Sequence, residues 1–588
     1  GRGVRLMFRQ RGALTVITPL LMLLVILLGV MALDGARLFS LRKEMQSQVN
    51  AAATAAADAA QACGGEFVAL QDINNRALIA AQQQGFSGDA SSLVVQPGVI
   101  ESDDEKVLSF EPVTDLRRSN GVAVTYEREA PISLLLPEST FGTVTMSVGA
   151  AARKELIGTL SAAGSTAVVG GTQQTANLLN VLLGAILNGG TPFNIDPTQF
   201  ASLAETTVKL GDVLEGVGVD TVEELLSTDV LVGNLLGALD SAADPLADVG
   251  GAMDQLISGV GVETVKLADV IDIVGSGEIP ENSRLPLYDT VMALALNLVE
   301  GTLIEGALPD TQINIPGVTE TKIELFVGKA PSVVVGPARI GEDGEWETRF
   351  HAPDVGLTIS SDLNILNLLT VRLPLAVQAG GGTGELVWAR CARGTGSNLV
   401  TVGIDVDSQA ARIATGQING MGVLEQEEVD LSVLKNLLPG SITLANITAD
   451  LDLTVGGGQE RVELSYTLDE DNPSSVFTEG GLSSADFSNL DINVELLEEE
   501  EECSGLLGCL LAGIGDVLSG IVEGITSLLG LEQLIQETVE GLVEALGTTL
   551  IDPLLNAIGI SLGTTKVEIT GADQNNVQLL EYCGPDGC

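Results

Sequence analysis

His351 is the only imidazole in this chain, and Cys63, Cys391, Cys503, Cys509, Cys583 and Cys588 are its only thiols. Those residues bound the chemistry available. A Ser–His–Asp relay needs a histidine beside a nucleophile and a carboxylate. His351 lies in Arg349-Phe350-His351-Ala352-Pro353-Asp354, with no nucleophile motif nearby. A solitary surface histidine is the reading adopted. A thiolate zinc site is an alternative use of the cysteines, but no Cys-x-x-Cys pair occurs and one histidine cannot complete a set. The run Gly380-Gly381-Gly382-Thr383-Gly384 lacks the dinucleotide spacing and suits a turn between strands; no Walker A string exists. Carboxylates remain, with 79 Asp and Glu. A glycosidase-type pair could be picked almost anywhere among so many, so it has no positive support. No catalytic, cofactor-binding or metal residue is assigned, and the chain reads as non-enzymatic.

The charge balance narrows the partners. The formal net charge is −51, whereas binding nucleic acid requires Lys and Arg to displace counterions from phosphates. Nucleic acid is therefore excluded as a partner. The charge is also uneven: residues 1–156 hold 14 Lys and Arg against 16 Asp and Glu, and the remainder holds 14 against 63. A strongly acidic, soluble body with solvated faces is the simplest reading. Adaptation to a saline habitat and structural calcium in acidic clusters are the alternatives, and no other cofactor is implied. The run Glu498 to Glu502 reads as a self-repelling linker or a cation-binding strip.

Any function must be positioned by the elements around these residues, and the strongest of them is apolar. Ala13 to Leu33 holds 21 residues without a charge, about 31 Å of helix, enough to cross a hydrocarbon core of roughly 30 Å. Its length exceeds the apolar region of a cleavable signal peptide, and no small-residue cleavage site follows it. Arg2, Arg5, Arg9 and Arg11 precede the span without an acidic residue, whereas Asp34, Arg37, Arg42, Lys43 and Glu44 nearly balance after it. The positive-inside bias predicts a cytoplasmic N-terminus and a periplasmic or otherwise extracytoplasmic body. Past Gly35 no Gly or Pro occurs before Gly64, and the Ala-rich stretch predicts that the helix continues to Cys63 as a stalk or a docking helix. All six cysteines follow the span, where an oxidising compartment permits three bridges. Cys503 with Cys509 and Cys583 with Cys588 are close enough for small loops, leaving Cys63 with Cys391 by elimination.

Arg11-Gly12-Ala13, the apolar span, Asp34-Gly35-x-Arg37-Leu38 and the run Ala51 to Ala60 together resemble the N-terminal domain of TadG-like proteins of bacterial Flp (Tad) pilus assembly systems. The resemblance implies an inner-membrane pilus-assembly component, with a reading frame opening just before the Arg-Gly-Ala, at Met7. Pseudopilins of such systems carry a Glu five residues after the processed Gly; Ile17 stands there instead, so cleavage after Gly12 is not expected. The Asp-x-Ser-x-Ser metal loop of the von Willebrand A domains found in some TadG proteins is absent too. Leu285-Pro286-Leu287-Tyr288-Asp289 and Val371-Arg372-Leu373-Pro374-Leu375 resemble ectodomain stretches of the same family, which supplies no catalytic residues.

Beyond residue 156 two textures alternate. Leu178 to Gly184, Leu231 to Gly237 and Leu434 to Gly440 read as short helices closed by glycine. Lys322 to Val327, Val355 to Ile359, Val371 to Val377, Leu399 to Val406, Ile442 to Val455 and Arg461 to Leu468 read as antiparallel strands with one covered face. With aromatic residues at 3%, the cores must be Leu, Val, Ile and Ala. The fold class is α+β. The expected regions are a tail 1–12, the span 13–33, an Ala-rich helix 34–63, a TadG-like region 64–156, a helical region 157–310, a strand-rich region 311–497 and a C-terminal region 498–588. In the last, Leu507, Leu511, Ile514, Leu518, Ile521, Ile525 and Leu528 form one helical stripe, which covers the sheet, binds a partner, mediates self-association or lies on a membrane surface. The functional expectation is a membrane-anchored envelope protein with a periplasmic interaction ectodomain that contacts pilus or other envelope proteins. The alternative is an anchored surface protein of structural or adhesive kind, unrelated to pili.

Overall fold

The computed structural model describes residues 13–58, 63–66, 68–102, 108–135, 138–162, 172–243, 249–274, 280–308, 318–365, 369–392, 398–427, 429–432, 445–468, 473–478, 491–496, 541, 544–574 and 578–582. Helix and strand are both extensive and most strand pairs are antiparallel, an α+β fold. The chain divides into two compact units: Gly1–Glu155 with Asn575–Cys588, and Leu156–Gln574 between them.

The first unit is organised by one helix, α1, Ala13–Ala57, unbroken over 45 residues and about 67 Å long. Pro19 lies inside it, near the start, where a lost backbone donor costs least. Its two halves meet different surroundings. From Ile17 to Leu33 the large apolar side chains are exposed, whereas Met45, Gln48, Val49, Ala52, Ala53 and Ala56 are buried. Those buried positions recur at spacings of three and four, so they share one face of the helix. They pack on Ile73, Ala77 and Ala81 of α2, Leu70–Gln83, and on an antiparallel sheet. The sheet holds β1 Leu93–Ser102, β2 Leu108–Pro112, β3 Gly121–Pro131 and β4 Thr143–Arg153, in the order β2-β1-β3-β4. The C-terminal strand Gln578–Glu581 closes the edge against β4, so the chain's end returns to its first unit. Alanines do the fitting: Ala52, Ala53 and Ala56 share the core with Ala150 and Ala152, and their small side chains let helix and sheet approach closely. Of the two roles open to the helix after the span, docking is therefore the one it has, and it ends at Ala57 rather than Cys63.

The second unit contains a repeat that composition and periodicity did not reveal. Thr207-Val208-Lys209-Leu210-Gly211-Asp212-Val213 and Thr264-Val265-Lys266-Leu267-Ala268-Asp269-Val270 differ at one position. Leu156–Ala162 is β5. The first copy forms β6 Thr207–Lys209 running straight into α3 Leu210–Val217, and β7 Asp229–Leu231 leads likewise into α4 Val232–Ala242. The second copy forms β8 Thr264–Lys266 and α5 Leu267–Val270, and β9 Arg284–Pro286 precedes α6 Leu287–Leu298. β6 pairs with β9 and β7 with β8, both antiparallel. The helix starts are closed crosswise by backbone: Leu210 N–H donates to Ser283 O at 2.8 Å and Leu287 N–H to Thr206 O at 3.0 Å, while Val232 donates to Glu263 and Leu267 to Thr228, each at 3.0 Å. None of the four helices has a side-chain cap; these bonds satisfy one of the donors that a helix start leaves unpaired.

These helices share one apolar core with a seven-stranded antiparallel sheet in the order Leu303–Leu308, Val318–Lys329, Asp354–Ile365, Leu369–Gly380, Ala411–Ile418 and Leu424–Gln426, with Asp452–Val455 also on Ala411–Ile418. The period of two is visible in the burial. Ile323, Leu325, Val327, Val355, Leu357, Ile359, Leu375, Val377, Ile413 and Leu453 join the helical core, while Phe326, Ala376, Ala414 and Ile418 form a small cluster apart from it. A second sheet joins Ile271–Ile273, β10 Val333–Pro337, β5, β11 Thr564–Gln574 and Ser474–Phe477; its first pair is parallel, the others antiparallel. A third contains Thr383–Arg390, Leu399–Ser408 and Gly458–Thr467, with Arg349–His351 on its first strand.

Two sequence expectations are corrected here. Gly184 does not end its helix, which runs Gln173–Leu187; a Cβ there would lie 2.4 Å from the Thr191 carbonyl oxygen, so it is a close-approach glycine. Gly237 likewise falls inside α4. Gly218, in the left-handed conformation after α3, is the true stop of the expected kind. Leu434 to Gly440, Glu498 to Glu502 and the stripe from Leu507 to Leu528 lie outside the described residues.

A fragment that begins at residue 64, just past the Ala-rich run, looks complete from sequence, but it would strip the α1 face from the core of the first unit. We predict that residues 36–588 are soluble and unfold cooperatively in urea. Residues 64–588 should aggregate or bind a hydrophobic dye, measured by light scattering and dye fluorescence.

Candidate functional site

Among the described residues, α1 carries a long run of exposed large apolar side chains, from Ile17 to Leu33. Ile17–Ala57 is long and apolar enough to cross a membrane, and none of its most apolar window is buried; no other such helix occurs among the described residues. A continuous apolar surface of this kind marks a lipid or protein contact rather than a solvated face. Its length and apolarity suit a membrane-anchoring element.

The cysteines with a described position are oxidised: Cys63 in the first unit and Cys391 in the second are both disulfide-bonded. Cys503, Cys509, Cys583 and Cys588 lie outside the described residues. His351, expected on the surface, is half-buried on its short strand, with Nδ1 against the Ala352 carbonyl oxygen. Burial and then the charge of Lys329 push its pKa below the usual histidine range, so the ring is neutral at neutral pH. The glycine run turns the chain between Leu369–Gly380 and Thr383–Arg390, with Gly380 and Gly381 at positive φ.

A group of ionisable side chains that the sequence did not single out lies in the second unit. Asp289, in the first turn of α6, accepts a hydrogen bond from the Ser161 hydroxyl of β5 at 3.0 Å. Glu568 of β11 stands opposite Ser161 across the sheet. Lys566 is two residues away, on the same face. Asp289, Lys566 and Glu568 are 5%, 2% and 4% exposed. Burial lowers the Lys566 pKa, opposed by the charges of Glu568 and Asp289. Beside them the Tyr288 hydroxyl donates to the Ala557 carbonyl at 2.6 Å, and burial drives its pKa well up. The stretch Leu285 to Asp289 is thus the entry to a helix buried from Leu287 to Leu296. Its acid sits where Asp212 and Asp269 sit in the repeat, in the first helical turn. There both are exposed and favour the helix N-terminus; in α6 the same position points into the protein.

The cluster carries the chemical groups of an active site without the space for one. The cavity lined by Ser161, Asp289, Met292, Val333 and Ile558 measures about 10 Å³, the room of a single water at most. An open groove of about 510 Å³ is lined by Glu342, Asp343, Glu345, Trp346, Glu347 and Arg349. There Arg339 binds Glu347 at 3.0 Å, and Arg349 binds Glu345 and, at 3.1 Å, Glu385. No three Asp, Glu, His or Cys side chains gather as a metal site among the described residues.

Fold and site together define an α+β protein with a two-unit body and, among the described residues, one helix suited to anchor it in a membrane. No protein-family model, no curated protein and no solved structure matches the chain.

Lys566→Met leaves two buried carboxylates without the cation between them, at a cost of about 3–5 kcal/mol in urea unfolding. Adding Asp289→Asn should recover part of that loss, because the two residues are coupled.

Proposed function

We propose that the chain is a non-enzymatic, inner-membrane-anchored component or relative of the Flp (Tad) pilus assembly machinery. Its N-terminus is cytoplasmic and its body is a periplasmic interaction module for pilus or other envelope proteins. The observation that carries this reading is α1, which is bare and apolar over its first half and is the core helix of a folded unit over its second. Such a helix holds a domain at a fixed place on a membrane. The orientation is supported by Arg2, Arg5, Arg9 and Arg11 before the span, against the near balance of Asp34, Arg37, Arg42, Lys43 and Glu44 after it. The link to pili is supported by the Arg11-Gly12-Ala13 and Asp34-Gly35-x-Arg37-Leu38 pattern around it. A non-catalytic role is supported by the half-buried, neutral His351 and by the lack of substrate space at the Ser161–Asp289–Lys566–Glu568 cluster.

Photo-crosslinking residues placed at Val262 and Met421, which are 89% and 79% exposed, test it in intact cells. Adducts with extracytoplasmic proteins, pilus components among them, are expected by mass spectrometry. Adducts confined to cytoplasmic proteins would overturn the orientation. Envelope adducts without any pilus component, in cells making pili, would overturn the pilus assignment in favour of a general envelope protein.

A further inference from the structure

The long hairpin of β3 and β4 ends beside the membrane helix, not in solvent away from it. Pro131 closes β3, and Ile132-Ser133-Leu134-Leu135 follow. The Leu134 N–H donates to Asp34 Oδ1 at 3.4 Å, and the Arg37 guanidinium donates to the Pro131 carbonyl and, at 3.5 Å, to that of Ile132. Asp34 and Arg37 are the first charged residues after the 21-residue apolar run. A backbone hydrogen-bonded to them lies at the same depth, the boundary between hydrocarbon and headgroups.

The turn is built to turn its apolar side chains outward. Ser133 is buried and its hydroxyl accepts the Leu135 N–H at 3.3 Å, which fixes the bend. Leu134 and Leu135 then stand 67% and 68% exposed, with Ile132 at 40%. A hairpin tip in water favours Gly, Asn, Asp and Ser. Adjacent exposed leucines are explained by a medium that accepts them, and here that medium borders the exposed face of α1. Phe39, 72% exposed and about 9 Å beyond Leu33 along the helix, is an aromatic at headgroup level, where such rings concentrate.

We propose that the hairpin tip Ile132–Leu135 inserts into the upper acyl region of the same bilayer that α1 crosses. The first unit is thereby held at two points, which fixes the height and rotation of α1. The occupant of the apolar tip is lipid, because the exposed leucines are tied through Asp34 and Arg37 to the end of the apolar span. The proposal rests on the reading of α1 as a membrane span, and the test separates the two.

The test is tryptophan fluorescence of the full chain reconstituted into phosphatidylcholine vesicles brominated either near the glycerol end of the acyl chains, which reports on the tip, or near their methyl end, which reports on the middle of the span. Leu24→Trp probes the span, Leu134→Trp the tip, and Val262→Trp a site on the second unit; Leu135→Trp replaces the tip probe if the first variant misfolds. Each signal is the increment over the unsubstituted chain, which already contains Trp346 and Trp388. Quenching of the Leu24→Trp and Leu134→Trp increments to less than half, with Val262→Trp unaffected, is expected. A quenched Leu24→Trp with an unquenched Leu134→Trp would overturn the insertion while leaving the span intact. A Leu134→Trp signal that is blue-shifted yet unquenched would place a protein surface there instead of lipid, and would also overturn it. An unquenched Leu24→Trp would overturn the span itself and the insertion with it.

Discussion

Everything in the first unit depends on one helix being stable in two media. In hydrocarbon, every backbone donor and acceptor must be satisfied within the segment, and α1 meets that up to Leu33 apart from its first turn and the carbonyl that Pro19 leaves without a donor. In the folded unit the same helix turns an alanine-rich face to the sheet, where Ala52, Ala53 and Ala56 meet Ala150 and Ala152. The backbone bonding is identical on both sides, and only the side chains change. Gly35 is the one residue near the exit that weakens a helix, yet α1 passes through it unbroken. The partly buried Asp34 and Arg37 there are engaged by the hairpin, so the exit from the bilayer is braced rather than left as a hinge.

The second unit uses a different economy. Its short strand–helix turns close one another's helix starts through backbone bonds, which frees the cap positions for residues such as Lys209, Leu231, Lys266 and Pro286. Surface acidity suits this build, because Asp212 and Asp269 favour the helix starts while remaining solvated. Exposed pairs such as Arg412 with Asp452, at 2.8 Å, are modest contributors. The buried Asp289, Lys566 and Glu568 are of another kind, since charges removed from water must find one another or destabilise the unit.

The span, the helical region followed by strands, and the strands over Lys322 to Val327 and Val355 to Ile359 were legible because hydrophobic period and length encode them directly; that Val355 to Ile359 is buried on both faces rather than one was not. The glycines were only half legible. Gly184 and Gly237 looked like stops, but a glycine chosen for close approach and one chosen for a left-handed turn are the same letter. The buried cluster was not legible, because Ser161, Asp289 and Lys566 are distant in sequence and each is ordinary alone. The repeat could have flagged Asp289 through its alignment with Asp212 and Asp269. The fate of the helix beyond Leu33 was undecided for a related reason: an alanine run forms a helix whether it stands free or packs, and only the sheet supplied by β3 and β4 decides between them.

Hydrogen–deuterium exchange on the full chain in lipid vesicles, resolved across residues 30–58, tests the continuity of α1 most directly. The account predicts one slowly exchanging block from the bilayer exit to Ala57, with the turns around Asp34 to Leu41 as protected as those around Val49. A rapidly exchanging gap between Leu33 and Met45 would contradict it, and would make the anchor and the folded unit separate bodies joined by a flexible link.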